Sequence, residues 1–139
     1  MNTPIRIQLE LPAAHRFLNI IGGCIQELIN RTPNLSDPES LSYQLQLAAQ
    51  EVCANIIDHA YQGMDGNRIW IEFQLDESVP QLTALFSDEG QPFNNAEPNL
   101  SDLPGEGGMG LFLIHQLVDH VEYQRTQNRN TWVLTKTLA

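Results

Sequence analysis

From residue 91 to residue 108 the sequence carries no apolar periodicity, and that break governs how the rest can be arranged. The stretch is rich in Pro, Gly, Asn and acidic side chains, so it has no apolar stripe for a helix or a strand to bury. An irregular segment of this length in a compact domain is commonly a functional lid or disordered. Before it, residues 5–11 alternate apolar and polar, which predicts a strand ended by Pro12. Residues 13–31 follow a helical period through Phe17, Ile20, Ile21, Cys24, Ile25, Leu28 and Ile29. Asp37-Pro38 reads as an N-cap with proline at the first helical position, opening a long helix to about Gln62, stopped near Gly63. Residues 68–75 and 81–87 read as strands. After the break, residues 110–120 predict a third helix. Residues 121–125 and 131–138 predict a closing hairpin around Gln127-Asn128-Arg129-Asn130. This order fits an α+β fold, an antiparallel or mixed sheet with helices packed on one face.

The chain has 139 residues, 42% of them apolar, which suits one domain spanning residues 1–139. No apolar run reaches the ~18–20 residues that span a bilayer, and no basic-then-apolar leader opens the sequence. The expectation is a cytoplasmic protein without a membrane partner. Cys24 and Cys53 lie inside apolar helical patterns rather than at metal-ligand spacing, and read as buried free thiols. A formal charge of −10 argues against nucleic acid, because affinity for phosphate backbones needs clustered Lys and Arg. For the same reason a bound triphosphate would have to be held by local amides and a metal ion against a repulsive global field.

Three short patterns can carry chemistry. On the long helix, Glu51, Asn55, Asp58 and Gln62 share one face at about 100° per residue, beside His59 and opposite Leu45, Ala49, Val52, Cys53, Ile56 and Ile57. This is either the wet face of an amphipathic helix or a reaction centre, in which the Glu takes a proton and the amide oxygen binds a hard cation. At the end of the second apolar strand, Asp88-Glu89-Gly90-Gln91-Pro92-Phe93 is either a turn or a base site. A half-buried Asp there can accept a hydrogen bond from the exocyclic amine of adenine, while glycine lets the base approach the backbone. Third, Gly105-Glu106-Gly107-Gly108-Met109-Gly110 runs straight into Leu111-Phe112-Leu113-Ile114. It is either a flexible linker or an anion cradle at a helix N-terminus. No Gly-Lys-Ser/Thr is present, and no strand directly precedes the run as a dinucleotide fold requires.

In this order and spacing, Glu51-x3-Asn55, Asp88-x-Gly90-x-Pro92-Phe93 and Gly105-x-Gly107-Gly108-Met109-Gly110-Leu111 resemble the ATP-binding domain shared by gyrase, Hsp90, histidine kinases and MutL. Within that superfamily the strings DEGQPF, GGMGLFLIHQLVDHVEY and NTWVLTKTL resemble the stand-alone anti-sigma-factor serine/threonine kinases of bacterial partner-switching systems. The likeness covers about residues 40–138, with residues 5–35 as the family's first strand and helix. It implies the Bergerat fold, a two-layer sandwich with a mixed, mostly antiparallel sheet. It implies ATP and Mg²⁺ as cofactors, Glu51 as the general base and Asn55 as the magnesium ligand. Asp58, His59, Asp88, Gly90 and Phe93 would lie about the nucleotide. Gly105, Gly107, Gly108, Met109, Gly110 and Leu111 would form the lid hinge and phosphate cradle, and Thr131 would line the adenine pocket from the closing strand. The implied partners are a small STAS-type antagonist that accepts the phosphoryl group, a sigma factor, and a second copy of the chain docked on the outer sheet face that carries Trp70.

The chain departs from that pattern in three places. His59-Ala60 stands where these kinases often show His-Gly. Arg129 occupies a place usually held by Gly. Residues 94–104 contain no Lys or Arg, so charge on the transferred phosphoryl group would fall to Mg²⁺, amides, Arg125, Arg129 or a partner. Two other readings stay open: a nucleotide-dependent binding switch without catalysis, and a detached histidine-kinase catalytic domain.

Overall fold

The computed structural model describes residues 3–93 and 108–139. Five strands form one sheet in the order β1-β2-β3-β5-β4, where β1 is Ile5–Pro12, β2 Arg68–Asp76, β3 Gln81–Asp88, β4 His120–Thr126 and β5 Arg129–Thr137. Every neighbouring pair is antiparallel, so the sheet is not mixed. Alternation does the sorting. Ile69, Ile71, Phe73 and Leu75 of β2, Leu82, Ala84, Phe86 and Asp88 of β3, and Asn130, Trp132 and Leu134 of β5 point to the buried face. Trp70, Glu72, Leu85, Ser87, Thr131 and Val133 take the other face.

Helices α1 (Leu18–Asn30), α2 (Pro38–Asn55) and α3 (Gly108–Leu117) complete the core with the buried sheet face. A 3₁₀ turn at His15–Phe17 precedes α1. Helix α1 buries Ile21, Ile25, Leu28 and Ile29, but Ile20, expected on the same stripe, is 49% exposed. Helix α2 starts as its sequence predicts, with the Asp37 carboxylate accepting from the Ser40 N–H at 3.2 Å and Pro38 in the first turn. Cys53 is fully buried beneath α2, where burial pushes its thiol up, while Cys24 is only half-buried. No helix among the described residues is long and apolar enough to cross a membrane.

The first helix begins at Leu18 rather than residue 13 and the third ends at Leu117 rather than residue 120, and two further boundaries move for clear physical reasons. The long helix does not run in α geometry to Gln62. After Asn55 it widens into a π-helical turn at Ile56–Ala60, with the Tyr61 N–H donating to Ile56 O five residues back. Gln62 (φ 55°) and Gly63 (φ 71°) then end it in the left-handed region. The closing hairpin turns on two residues rather than four. Gln127 (φ 52°) and Asn128 (φ 67°) both adopt the left-handed conformation of a tight hairpin, so Arg129 and Asn130 already belong to β5. Arg129 therefore needs no glycine-like backbone. Its guanidinium lies 4.6 Å above the Trp70 ring on the outer face.

Phe73, 1% exposed, fills the centre of this core. Phe73→Ala is expected to cost about 3–5 kcal/mol in urea denaturation. Tyr43→Ala, at a side chain 67% exposed, should stay within about 0.5 kcal/mol of the parent.

Candidate functional site

Glu51 and Asn55 stand one helical turn apart on α2, and α3 meets them through Gly110. A Cβ on Gly110 would lie 2.9 Å from Glu51 Oε2 and 3.7 Å from Asn55 Oδ1, so the glycine lets the start of α3 sit against both side chains. Asn55 is 6% exposed and its Nδ2 is buried without a partner among the described residues. A buried amide seldom stays unpaired, because the loss of water without a replacement bond costs about 1–3 kcal/mol. Asn55 is therefore poised for a ligand.

Asp88, the last residue of β3, is wholly buried. Its Oδ1 accepts from the Asn130 Nδ2 at 2.8 Å and from the Gly90 N–H at 2.9 Å, while Oδ2 has no partner among the described residues. Burial raises its pKa above the ordinary carboxylate value; the bonds from Asn130 and Gly90 and the charges of Arg125 and Arg129 pull the other way. Asp88 also lines a cavity of about 20 Å³, together with Asn55, His59, Phe93, Asn130 and Trp132, among others. That is room for a single water. Phe93, on its wall, packs edge-on to Trp132 at 5.0 Å and to Tyr123 at 6.1 Å between ring centroids.

The turn after Asp88 is held by the end of α2. The Gln91 N–H donates to Ala60 O at 2.8 Å, and a Cβ on Gly90 would fall 2.3 Å from that same oxygen. Gly90 is thus already demanded by the close pass of β3's exit over Ala60. Tyr61 joins the same parts, its hydroxyl accepting from the Glu89 N–H at 2.9 Å and donating to Arg68 O at 2.6 Å.

Several expected site residues are placed differently. Asp58 does not line the cavity; it pairs with His15 Nε2 at 2.9 Å, both groups half-exposed, whereas His59 does line it. Leu111 is 1% exposed, so its side chain belongs to the core and only its backbone can face a phosphate. Thr131 is corrected outright. Its hydroxyl lies 3.2 Å from Ser87 Oγ on the outer face, because the tight turn puts Asn130 one position earlier on the cavity side. Gly105 and Gly107 lie outside the described residues; Gly108 and Met109 open α3.

Asn130, Tyr123, Tyr61 and Arg125 are the residues that motif reading passed over or misplaced. For Asn130 the signal was present: it shares the period of Trp132 and Leu134, which makes it a polar residue in an inward phase. Neither arginine considered for the phosphate end is there. Arg125 donates to Gly90 O and Asn130 Oδ1, and Arg129 covers Trp70. Of the chain's seven Lys and Arg, Arg6, Arg31 and Arg68 pair with Glu72, Glu27 and Glu10, and Arg16 lies over Phe17.

Residues 22–136 match the histidine kinase-like ATPase domain family. A serine-protein kinase RsbW of Bacillus cereus is 30% identical over 142 residues, covering 94% of this chain and 84% of the relative. The RsbW of Halalkalibacterium halodurans is 29% identical, covering 88% and 77%. Among solved structures, the RsbU and RsbW domains of a Mycobacterium tuberculosis protein align with a TM-score of 0.69 at 17% identity, over 96% of this chain and 32% of that one. The histidine kinase domain of a blue-light-activated kinase from Erythrobacter litoralis aligns at 0.59 and 19% identity, over 92% and 62%. This chain therefore spans about a third of the first solved chain and under two thirds of the second, and at these identities both speak for the fold alone. The chain belongs to the histidine kinase-like ATPase family, an ATP-using family, and within it groups with the serine-protein kinases called RsbW.

Proposed function

We propose that this chain, as one ATPase domain over residues 1–139, is an ATP-dependent serine/threonine-protein kinase that acts in the cytoplasm as an anti-sigma factor and phosphorylates a small STAS-type antagonist. One observation carries the reading. The Glu51 carboxylate and the Asn55 amide meet at Gly110, while Asp88, one oxygen of which has no partner among the described residues, lines the cavity that Asn55 also lines. That arrangement offers a proton acceptor, a metal-binding amide and a base-reading acceptor in one place.

In this reading Glu51 takes the proton of the attacking seryl or threonyl hydroxyl. The hydroxyl oxygen bonds to the γ-phosphorus as the bond from that phosphorus to the bridging oxygen breaks, and the electron pair leaves on ADP. Asn55 would hold a magnesium ion. Its amide oxygen is the atom that would take the ion, and its unpartnered Nδ2 would suit a phosphate oxygen beside it. No cluster of three or more His, Cys, Asp or Glu among the described residues forms an all-protein cage, which suits an ion held mainly by phosphates. When bound, the ion supplies positive charge to the phosphates. The backbone amides at the start of α3 are the chain's own contribution to the same end.

Incubation with γ-labelled ATP, Mg²⁺ and a STAS-type antagonist tests the function, with label expected on serine or threonine of the antagonist. Label on a histidine of the chain itself would instead select histidine-kinase chemistry. Glu51→Gln is expected to keep ATP binding and lower single-turnover transfer by ~10²–10⁴-fold, the range for a general acid–base residue.

Asp88→Asn is expected to abolish measurable ATP binding by calorimetry, since the acceptor for the adenine amine becomes a donor. Its stability should also part from that of the parent with pH. Because the folded pKa of Asp88 lies above its unfolded value, its favourable contribution is complete below about pH 4 and is lost as pH rises through the folded value. The parent should therefore gain stability relative to Asp88→Asn on going from neutral pH toward pH 4 in urea titrations.

A further inference from the structure

Asn130 has every polar atom engaged, and its partners dictate which way round its amide sits. Its Oδ1 accepts from Tyr123 OH at 2.5 Å and from Arg125 Nη1 at 2.9 Å. Its Nδ2 donates to Asp88 Oδ1 and to Gln91 O, each at 2.8 Å. A guanidinium is a donor only, so the amide atom that meets Arg125 must be the oxygen. The Tyr123 hydroxyl already accepts the Phe93 N–H at 2.7 Å, which directs its own hydrogen to that same oxygen. Turned over, the amide would set its oxygen against the carboxylate of Asp88 and the carbonyl of Gln91, acceptor against acceptor.

We propose that Arg125 and Tyr123 are positioning residues for adenine selection: by fixing the direction of the Asn130 amide they occupy one oxygen of Asp88 and leave the other as a single, aimed acceptor. The inference rests on the reading that Asp88 receives the base. With Oδ1 filled by two donors, only a group that donates can meet Oδ2. Adenine presents an amine there, whereas guanine presents a carbonyl, so oxygen would face oxygen. A site built this way rejects the wrong partner strongly, because the wrong base leaves a buried polar group unpaired. Both positioning residues sit on the edge strand β4, two residues apart on its cavity side, and Arg125 is paired across the hairpin with Asn130 itself. Neither touches the free oxygen of Asp88, so each acts through Asn130. Arg125 has a second effect: its bond to Gly90 O at 3.0 Å holds the Asp88–Gly90 turn to the hairpin.

The test is calorimetric titration of the full chain with Mg·ADP and Mg·GDP. The parent is expected to bind ADP and reject GDP. The double variant Arg125→Met with Tyr123→Phe releases the amide, and the ADP-to-GDP affinity ratio should fall about 10-fold or more. Arg125→Lys, which keeps a charged donor, should retain most of the ratio. A double variant that binds both nucleotides more weakly by one common factor leaves the ratio unchanged and overturns the proposal, since that is what loss of packing alone does. If the double variant fails to fold, Arg125→Met alone, at an exposed edge-strand position, is read the same way. A fall of about 5-fold is then expected, and an unchanged ratio overturns the proposal. A parent that binds ADP and GDP equally strikes the Asp88 reading first, and the proposal with it.

Discussion

A carboxylate with no solvent exposure at the end of a central strand has to be provided for by everything around it. Asp88 is that group. Burial alone disfavours its charge, and the surrounding chain offsets this with two hydrogen bonds to one oxygen and two arginines nearby. Those supports come from the β4–β5 hairpin and from the turn into which β3 runs. The turn in turn rests on Ala60 and Tyr61 at the end of α2. One buried carboxylate therefore ties together the helix, the strand and the hairpin. The oxygen left without a partner among the described residues is the remainder of that arrangement.

The π-helical turn at Ile56–Ala60 has a comparable role on the helix side. Wider than an α-turn, it carries the chain off the regular 100° step just past Asn55. Asn55 keeps its place beside Glu51, but Asp58 ends beside His15 instead of joining them. The same turn brings the Ala60 carbonyl to the exit of β3, where the Gln91 N–H meets it and only glycine fits at position 90. The Ala60 methyl lies at this crossing too, 2.9 Å from where a Cβ on Gly90 would stand.

How much of this could be read in advance follows from the range of the forces involved. Strand alternation and the helical stripes are local, and they located three helices and five strands, the strand bounds to within two residues. The Asp37-Pro38 start of α2 was equally local. What failed was phase. Gln127-Asn128-Arg129-Asn130 reads as a four-residue turn, but two left-handed residues suffice, and the shorter turn admits Asn130 to β5. In a strand of period two, that difference of one position separates a residue that holds Asp88 from one, Thr131, that faces the opposite side of the sheet. The bond from Asn130 to Asp88 spans 42 residues, and no local pattern encodes it. The departure from 100° steps at Ile56 was invisible for a related reason: nothing in Ile56-Ile57-Asp58-His59-Ala60 forbids a continuous α-helix.

Charge shapes the phosphate end of the site by what the chain withholds from it. With a formal charge of −10, the long-range field opposes the approach of a polyphosphate. Six of the seven basic side chains are engaged away from Glu51 and Asn55, and the seventh, Lys136, lies toward the far end of β5, where it pairs with Leu82. Among the described residues, the helix dipole at the start of α3 is what would oppose the field at a phosphate bound there, and its effect falls off within the first turn. In the proposed reading such a site would hold a nucleotide by geometry more than by attraction, which would place the burden of recognition on the base end. There the chain has spent its arginine: Arg125 is turned inward to an amide and a carbonyl, where its donors orient the groups around Asp88 and its charge makes the buried carboxylate tolerable.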